Sequence, residues 1–125
     1  MHKKLKTILL EDDMVARMLL TNYCNNHPAI ELLKDFDDIS TAKEYIAKEP
    51  VDLVLLDIQL KNSSGFDLLP YLPPSTQVIV TTGSTKNIED AKKIGIDNCL
   101  LKPIVLEDFL WSVKRLKPLS SEEML

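Results

Sequence analysis

The sequence contains acidic, hydroxyl and amine side chains that can support phosphoryl transfer if the fold brings them together. Crowded carboxylates repel one another, and a hard cation such as Mg²⁺ relieves that repulsion by binding their oxygens. A carboxylate can also attack phosphorus to form an acyl phosphate, whose charge a cation, a lysine and a hydroxyl neutralise. The residues of these types are Glu11, Asp12, Asp57, Thr82 and Lys102. The elements that carry them decide whether they meet.

Short apolar runs alternate with helical patterns along the chain. The predicted strands span 7–10, 30–36, 51–56, 77–81 and 98–101, and a helical pattern follows each of them. This order predicts an α/β domain with a parallel sheet covered on both faces. The run at 51–56 has little polar alternation, which is typical of a strand buried on both faces.

Sequence signals also predict where the helices lie. Thr41 with Glu44 three residues later resembles a capping box that opens the second helix. The third helix is short and lies within 66–72, where Pro70 limits it. The fourth is predicted over 85–94, and apolar spacing from Leu106 to Val113 marks the fifth.

The candidate residues follow the carboxyl ends of predicted strands, which share one edge of a parallel sheet. Asp12 and Asp57 are therefore candidate carboxylate ligands for Mg²⁺, with the main-chain oxygen of Gln59 as a third. Glu11 would act mainly through water or through bonds to those ligands. Asp57 is also the candidate nucleophile. In that reaction Lys102 and the Thr82 hydroxyl would each hold one phosphoryl oxygen, and the small Gly83 would leave room for the donor.

Four short motifs together resemble the receiver domain of two-component response regulators, the CheY-like family. Each motif is weak alone, but their joint order and spacing are specific. They are Ile8–Asp13, Leu55–Asp57 with Gly65 eight residues later, Val80–Gly83 and Leu101–Pro103.

The resemblance implies a (βα)5 fold of the flavodoxin-like type, with five parallel strands in the order 2-1-3-4-5. It implies a receiver domain over residues 1–117. Residues 118–125 would form a C-terminal tail or the start of a linker to an absent output domain. The family usually has a cis peptide bond before the proline that matches Pro103.

The resemblance also implies roles for the site residues. Asp57 matches the phosphoacceptor, Glu11 and Asp12 match the acidic metal pair, and Thr82 and Lys102 match the switch hydroxyl and the phosphate-binding lysine. A sensor histidine kinase or a phosphotransfer protein would donate the phosphoryl group in a Mg²⁺-dependent reaction. The face formed by the fourth helix, fifth strand and fifth helix would then change its preference for an unknown output partner or form a homodimer. Such a domain is a regulatory phosphoacceptor with at most weak self-catalysis.

Two departures from the family pattern bear on the switch. Cys99 stands where the family usually has an aromatic or histidine ring that turns inward when the threonine hydroxyl moves. The usual threonine–aromatic coupling therefore has no ring, and the 83–85 loop is an alternative route. Lys61 stands where the family often has proline, a change expected to affect loop rigidity and not chemistry.

Composition excludes several other classes of protein. The chain has 125 residues and a net charge of −4, which suits one domain without a cationic surface for nucleic acid or anionic lipid. The longest aliphatic run, Leu53–Leu56, is far shorter than a membrane span. Cys24 and Cys99 form neither a metal-spaced cluster nor a disulfide framework. These features predict a cytoplasmic protein without a membrane or nucleic-acid partner.

Three alternatives stay open at this point. A degenerate receiver would act as a phosphorylation-independent binding module, and Cys99 favours this reading. An aspartyl-nucleophile phosphatase of the haloacid dehalogenase type would need an acid two residues after its nucleophile, where this chain has Gln59. A flavodoxin-type module would need a phosphate loop after the first strand, where Glu11-Asp12-Asp13 would repel phosphate. Taken singly, each candidate residue also has an ordinary structural explanation, such as helix capping for the acids.

Overall fold

Parallel strands form the central sheet, in a computed structural model that describes residues 3–118. The strands are β1 (Leu5–Leu10), β2 (Ile30–Phe36), β3 (Leu53–Asp57), β4 (Gln77–Thr82) and β5 (Cys99–Leu101). Their spatial order is β2-β1-β3-β4-β5, and all the pairings are parallel. The predicted (βα)5 architecture and strand order are confirmed.

Helices connect the strands in the predicted alternation. They are α1 (Met14–Asn25), α2 (Ile39–Lys48), a 3₁₀ helix (Gly65–Tyr71), α3 (Thr85–Lys93) and α4 (Leu106–Lys114). The third predicted helix is thus present but is 3₁₀, and it contains Pro70, which removes one backbone donor. No helix within residues 3–118 is long and apolar enough to cross a membrane.

The hydrophobic core lies in two layers, one on each face of the sheet. Ile8 and Leu10 of β1 join one apolar cluster, whereas Leu9 between them joins the other. Every residue of β3 is buried, from Leu53 to Asp57. Burying one leucine side chain stabilises a fold by about 1.5–3 kcal/mol, so the buried leucines of β1 and β3 hold these strands in place and provide a base for the residues at their ends.

The ends of the first two helices are capped by aspartates. Asp13 Oδ2 accepts a hydrogen bond from Ala16 N at 2.9 Å, and the helix α1 begins at the next residue. The predicted capping box at Thr41 is wrong, because α2 begins at Ile39 and its N-cap is Asp38. The Asp38 carboxylate accepts from both the backbone N–H and the hydroxyl of Thr41 at 2.8 Å. An aspartate in this place satisfies two donors, so the helix starts earlier than the capping-box pattern indicates.

Residues 118–125, the predicted tail or linker, lie outside the described residues except for Pro118. The last described turn is held against β4 by a side-chain amide. Gln77 Nε2 donates to the Lys117 carbonyl at 2.8 Å, and Lys117 N donates to Gln77 Oε1 at 2.9 Å. The end of the described chain is therefore attached to the start of β4, at the sheet edge opposite to the candidate site.

Candidate functional site

The carboxylates predicted to share a site do so at the carboxyl edge of the sheet. Glu11 follows β1, Asp57 ends β3, and one oxygen from each of Glu11, Asp12 and Asp57 lies within 4.8 Å of the other two. Glu11 and Asp57 are almost completely buried, and Asp12 is half-buried. The order of the strands reverses between β1 and β3, which is where open α/β sheets form ligand sites. The predicted acidic cluster is thus present.

Lys102 is the cation that faces these buried acids. Its Nζ lies 2.6 Å from Glu11 Oε1 and 3.2 Å from Asp57 Oδ2. Neither of these carboxylate oxygens has another hydrogen-bond partner among the described residues. Although burial lowers the pKa of Lys102, its hydrogen bond to Glu11 and the charges of both acids raise it overall. The lysine therefore stays protonated at the centre of the site.

One lysine does not compensate for the crowding of two buried acids. Burial, and then the neighbouring Glu11 carboxylate, raise the pKa of Asp57 to about 7, although the charge of Lys102 lowers it. Burial and mutual repulsion oppose the ionisation of these carboxylates. A hard divalent cation bound to their oxygens would relieve that repulsion. The residues present therefore fit Mg²⁺, with Glu11, Asp12 and Asp57 as the acidic groups.

The loop after Asp57 is folded back against the site. Gln59 N donates to Asp57 Oδ1 at 3.1 Å, and Lys61 N donates to Asp12 Oδ2 at 2.6 Å. Proline, which the family often has in place of Lys61, could not donate this second bond. The N–H of Lys61 thus bonds a candidate metal ligand, and the expectation that this position affects loop rigidity alone stays a prediction.

A close approach explains the glycine of this loop. A β-carbon at Gly65 would lie 2.1 Å from the Asp57 carbonyl oxygen, a distance that the backbone cannot tolerate. Gly65 N also donates to the carbonyl of Ile58 at 3.0 Å. The missing side chain thus lets the 3₁₀ helix close directly over the end of β3.

Thr82 is joined to the acidic cluster through the side chain of Gln59. Thr82 Oγ1 donates to Gln59 Oε1 at 3.2 Å, and Gly83 N donates to the same oxygen at 3.1 Å. Thr82 Oγ1 also accepts from Ser84 N at 3.1 Å and from Asn87 Nδ2 at 2.9 Å. From the sequence, the main-chain oxygen of Gln59 is a candidate ligand, whereas neither its side chain nor Asn87 is a candidate site group. No spacing rule indicates these contacts, because they depend on side-chain conformation.

Cys99 and Pro103 lie on either side of Lys102 in the chain. Cys99 is half-buried, and its Sγ donates to the Ile96 carbonyl, with 3.7 Å between the atoms. The thiol is thus bonded toward the turn after α3. The Lys102–Pro103 peptide bond is cis, as the resemblance implied.

Comparison with known proteins identifies the family. The model of the response regulator receiver domain matches residues 7–114, a span that includes every candidate site residue. The chain belongs to this family. Receiver domains are regulatory modules of two-component systems, in which they pair with histidine kinases, and they bind Mg²⁺ in an acidic pocket.

The curated relatives of this receiver domain are longer proteins. The transcriptional regulatory protein DcuR of Escherichia coli (strain K12) is 28% identical over 112 residues, which cover 84% of this chain and 47% of that protein. The sensory transduction protein LytT of Enterococcus faecalis is 26% identical over 120 residues, covering 94% and 48%. Another relative, a protein-glutamate methylesterase/protein-glutamine glutaminase of Syntrophomonas wolfei, is an enzyme of which the chain covers 30%. The chain spans about half the length, or less, of these relatives.

Solved structures agree with the receiver fold. The response regulatory domain of protein MrkE from Klebsiella pneumoniae superimposes with a TM-score of 0.81 at 21% identity, covering 97% of this chain and 100% of that one. A CheY-like receiver domain from Methanospirillum hungatei JF-1 gives a TM-score of 0.74 at 26% identity, covering 89% and 92%. The fold assignment thus stands on the strand order and on these likenesses together.

Proposed function

We propose that this receiver domain is an active phosphoacceptor in which Asp57 accepts a phosphoryl group from a histidine kinase or a phosphotransfer protein. The observation that carries this proposal is the contact of Lys102 with both Asp57 and Glu11 at the end of β3. A half-buried lysine held against two buried acids at a strand end is a costly arrangement for a fold alone. It is well suited to a site that receives a further anionic group.

Each residue of the site has a separate role in the proposed reaction. A carboxylate oxygen of Asp57 attacks phosphorus, the bond from phosphorus to the donor breaks, and its electron pair leaves with the donor imidazole or acetate. Lys102, already 3.2 Å from Asp57 Oδ2, pairs with one phosphoryl oxygen. The Thr82 hydroxyl and the Gly83 N–H donate to the others. The backbone N–H groups of Gln59 and Lys61 hold the carboxylates of Asp57 and Asp12 in place, respectively.

Mg²⁺ is the cofactor that we propose for this site. Asp12, Asp57 and the main-chain oxygen of Gln59 would hold it, and Glu11 would act through water or through bonds to those ligands. When bound, the cation would neutralise carboxylate charge and one phosphoryl oxygen. The support for this assignment is the convergence of carboxylate oxygens within 4.8 Å and the raised pKa of Asp57.

The output face would be the one formed by α3, β5 and α4, which correspond to the predicted fourth helix, fifth strand and fifth helix. The phosphoryl transfer would take place in the cytoplasm. This face exposes apolar side chains that a partner or a second copy would cover, and these are Leu101, Leu106, Leu110 and Trp111. We propose residues 1–117 as the receiver unit and 118–125 as a tail or linker.

Intact-protein mass spectrometry tests the phosphoacceptor proposal. The wild type, Asp57→Asn and the exposed-site control Asp67→Asn are incubated with Mg²⁺ and acetyl phosphate. We expect one phosphoryl mass gain in the wild type and the control and none in Asp57→Asn. No gain in a folded wild type, repeated with a histidine phosphotransfer protein as donor, would instead favour the phosphorylation-independent binding module.

The phosphatase alternative receives no support from the site. Gln59 stands two residues after the candidate nucleophile, and its amide accepts hydrogen bonds from Thr82 and Gly83. A carboxamide cannot donate a proton as a general acid does. Steady release of phosphate from an aryl phosphate, stoichiometrically far above the protein, would be the result that favours the enzyme.

A further inference from the structure

The Thr82 hydroxyl has no spare hydrogen-bonding capacity in this structure. A hydroxyl carries one hydrogen to donate and two lone pairs to accept with. Thr82 donates to Gln59 Oε1 and accepts from Ser84 N and Asn87 Nδ2, at 3.2, 3.1 and 2.9 Å. Any bond from this hydroxyl to a phosphoryl oxygen must therefore replace its bond to Gln59, and the movement must disturb the other two.

Both groups that donate to Thr82 belong to the start of α3. Ser84 is the N-cap residue of α3, and its side chain makes no capping hydrogen bond within the described chain. Asn87 lies in the first turn of the same helix. The Thr82 hydroxyl thus satisfies the Ser84 N–H and the Asn87 amide from outside the helix, which is the task that a capping side chain usually performs.

The helix α3 buries few of its side chains, and Ile88 is half-buried. Ala91 is its buried residue, whereas Thr85, Lys86 and Glu89 are exposed. A helix held by little apolar contact responds strongly to the loss of a polar one. The bonds to Thr82 are therefore a large part of what fixes the first turn of α3.

We propose that Asn87 is the positioning residue through which Thr82 controls α3, an inference that rests on the proposed phosphoacceptor function. When the Thr82 hydroxyl turns to a phosphoryl oxygen, it releases the Asn87 amide and the Ser84 N–H, and the first turn of α3 rearranges. The half-buried Cys99, whose thiol is bonded to the Ile96 carbonyl, has no ring to carry this signal. The coupling instead passes through the side chain of Asn87, which lies on α3 itself.

Amide spectra before and after phosphorylation test this coupling. Wild type, Asn87→Ala and the control Glu89→Ala, an exposed change on the same helix, are treated with Mg²⁺ and acetyl phosphate, and the phosphoryl gain is measured on each sample. In the wild type and the control, the amides of 84–88 should shift on phosphorylation. In Asn87→Ala these amides should already be displaced toward the phosphorylated positions, and the further shift should fall at least about twofold at equal phosphoryl occupancy.

The outcomes separate this inference from the proposed function. A folded wild type that gains no phosphoryl group from acetyl phosphate or from a histidine phosphotransfer protein refutes the proposed function and the coupling with it. Equal phosphoryl gain with equal shifts of 84–88 in the wild type and Asn87→Ala refutes the coupling alone. If Asn87→Ala does not fold, Asn87→Asp keeps the shape of the side chain but cannot donate to Thr82 when ionised, and the same shifts are compared. Asn87→Gln, which retains the donor, should recover part of the response.

Discussion

The variant Asp57→Asn removes one of the crowded carboxylates, and we expect it to make the metal-free protein more stable. Asparagine has nearly the same shape as aspartate, and its oxygen can still accept the hydrogen bond that Gln59 N donates at 3.1 Å. Lys102 keeps its contact with Glu11 at 2.6 Å. The main change is therefore the loss of a buried negative charge.

The size of the effect follows from the pKa of Asp57. Burial, and then Glu11, raise this pKa from 3.8 to about 7, so the unfolded chain ionises at a lower pH than the folded one. Asp57 therefore keeps its proton to a higher pH in the folded state than in the unfolded chain. As a result, the free energy of unfolding falls as pH rises from about 4 to 7. Each pH unit corresponds to about 1.4 kcal/mol, which gives a penalty of about 4 kcal/mol at pH 8 and about 2 kcal/mol at pH 5.

Urea denaturation in the presence of a chelator measures this penalty. We expect Asp57→Asn to raise the free energy of unfolding by about 2–4 kcal/mol at pH 8 and by roughly half as much at pH 5. The control Asp67→Asn replaces an exposed aspartate of the 3₁₀ helix and should change stability by less than about 0.5 kcal/mol. Slopes of the transitions should agree between variants, so that midpoints can be compared.

Magnesium should offset the same penalty in the wild type. At a free Mg²⁺ concentration ten times the dissociation constant, binding to the folded state adds about 1.4 kcal/mol. This gain should largely disappear in Asp57→Asn. A variant that is no more stable than the wild type at pH 8 would refute the reasoning, because it would mean that the contact with Lys102 outweighs the repulsion from Glu11. A wild type indifferent to Mg²⁺ would remove the cation from the proposal.

Further variants and reagents test the packing around the site. Gly65→Ala should destabilise the fold by about 1–3 kcal/mol in urea denaturation, because the new β-carbon would meet the Asp57 carbonyl at 2.1 Å; equal stability would show that the loop relaxes freely. Burial raises the pKa of Cys24 to about 12, so an alkylating reagent at pH 8 should label the half-buried Cys99 much faster, as peptide mass spectrometry would reveal. Cys99→Tyr should fold, since the position is partly open to solvent; loss of the cooperative transition would contradict this.

The sequence predicted the sheet well because its strands carry strong signals. The strand Ile30–Phe36 has the predicted limits, and β3 was recognisable as a buried run. Its start moved from Val51 to Leu53, and its end extended by one residue to Asp57. Such shifts are small because the apolar pattern defines which residues are buried, whereas hydrogen bonds to the neighbouring strand decide where pairing ends.

The candidate site was predictable in its acids and its lysine but not in its polar connections. Parallel strands bring their carboxyl ends together, so topology alone gathers Glu11, Asp57 and Lys102. The bond from Lys61 N to Asp12 and the bond from Asn87 to Thr82 depend on loop geometry and side-chain conformation. Thr41 shows the same limit, since a competing aspartate three residues earlier took the role of the cap.

Under the proposed phosphoacceptor function, the saturated hydroxyl of Thr82 would make the resting and phosphorylated arrangements mutually exclusive, which is what a two-state switch requires. A net hydrogen bond is worth about 0.5–1.5 kcal/mol, so each bond that Thr82 exchanges shifts the balance of states roughly two- to tenfold. Gln59 and Asn87 would both lose a bond if Thr82 turned as proposed, and the phosphoryl oxygens would have to compensate for both losses. A variant that removes either partner should therefore shift the equilibrium toward the active arrangement before any phosphoryl group arrives. Gln59→Ala should resemble Asn87→Ala in the spectrum of 84–88, and a resting spectrum unchanged in both variants would show that Thr82 does not hold α3.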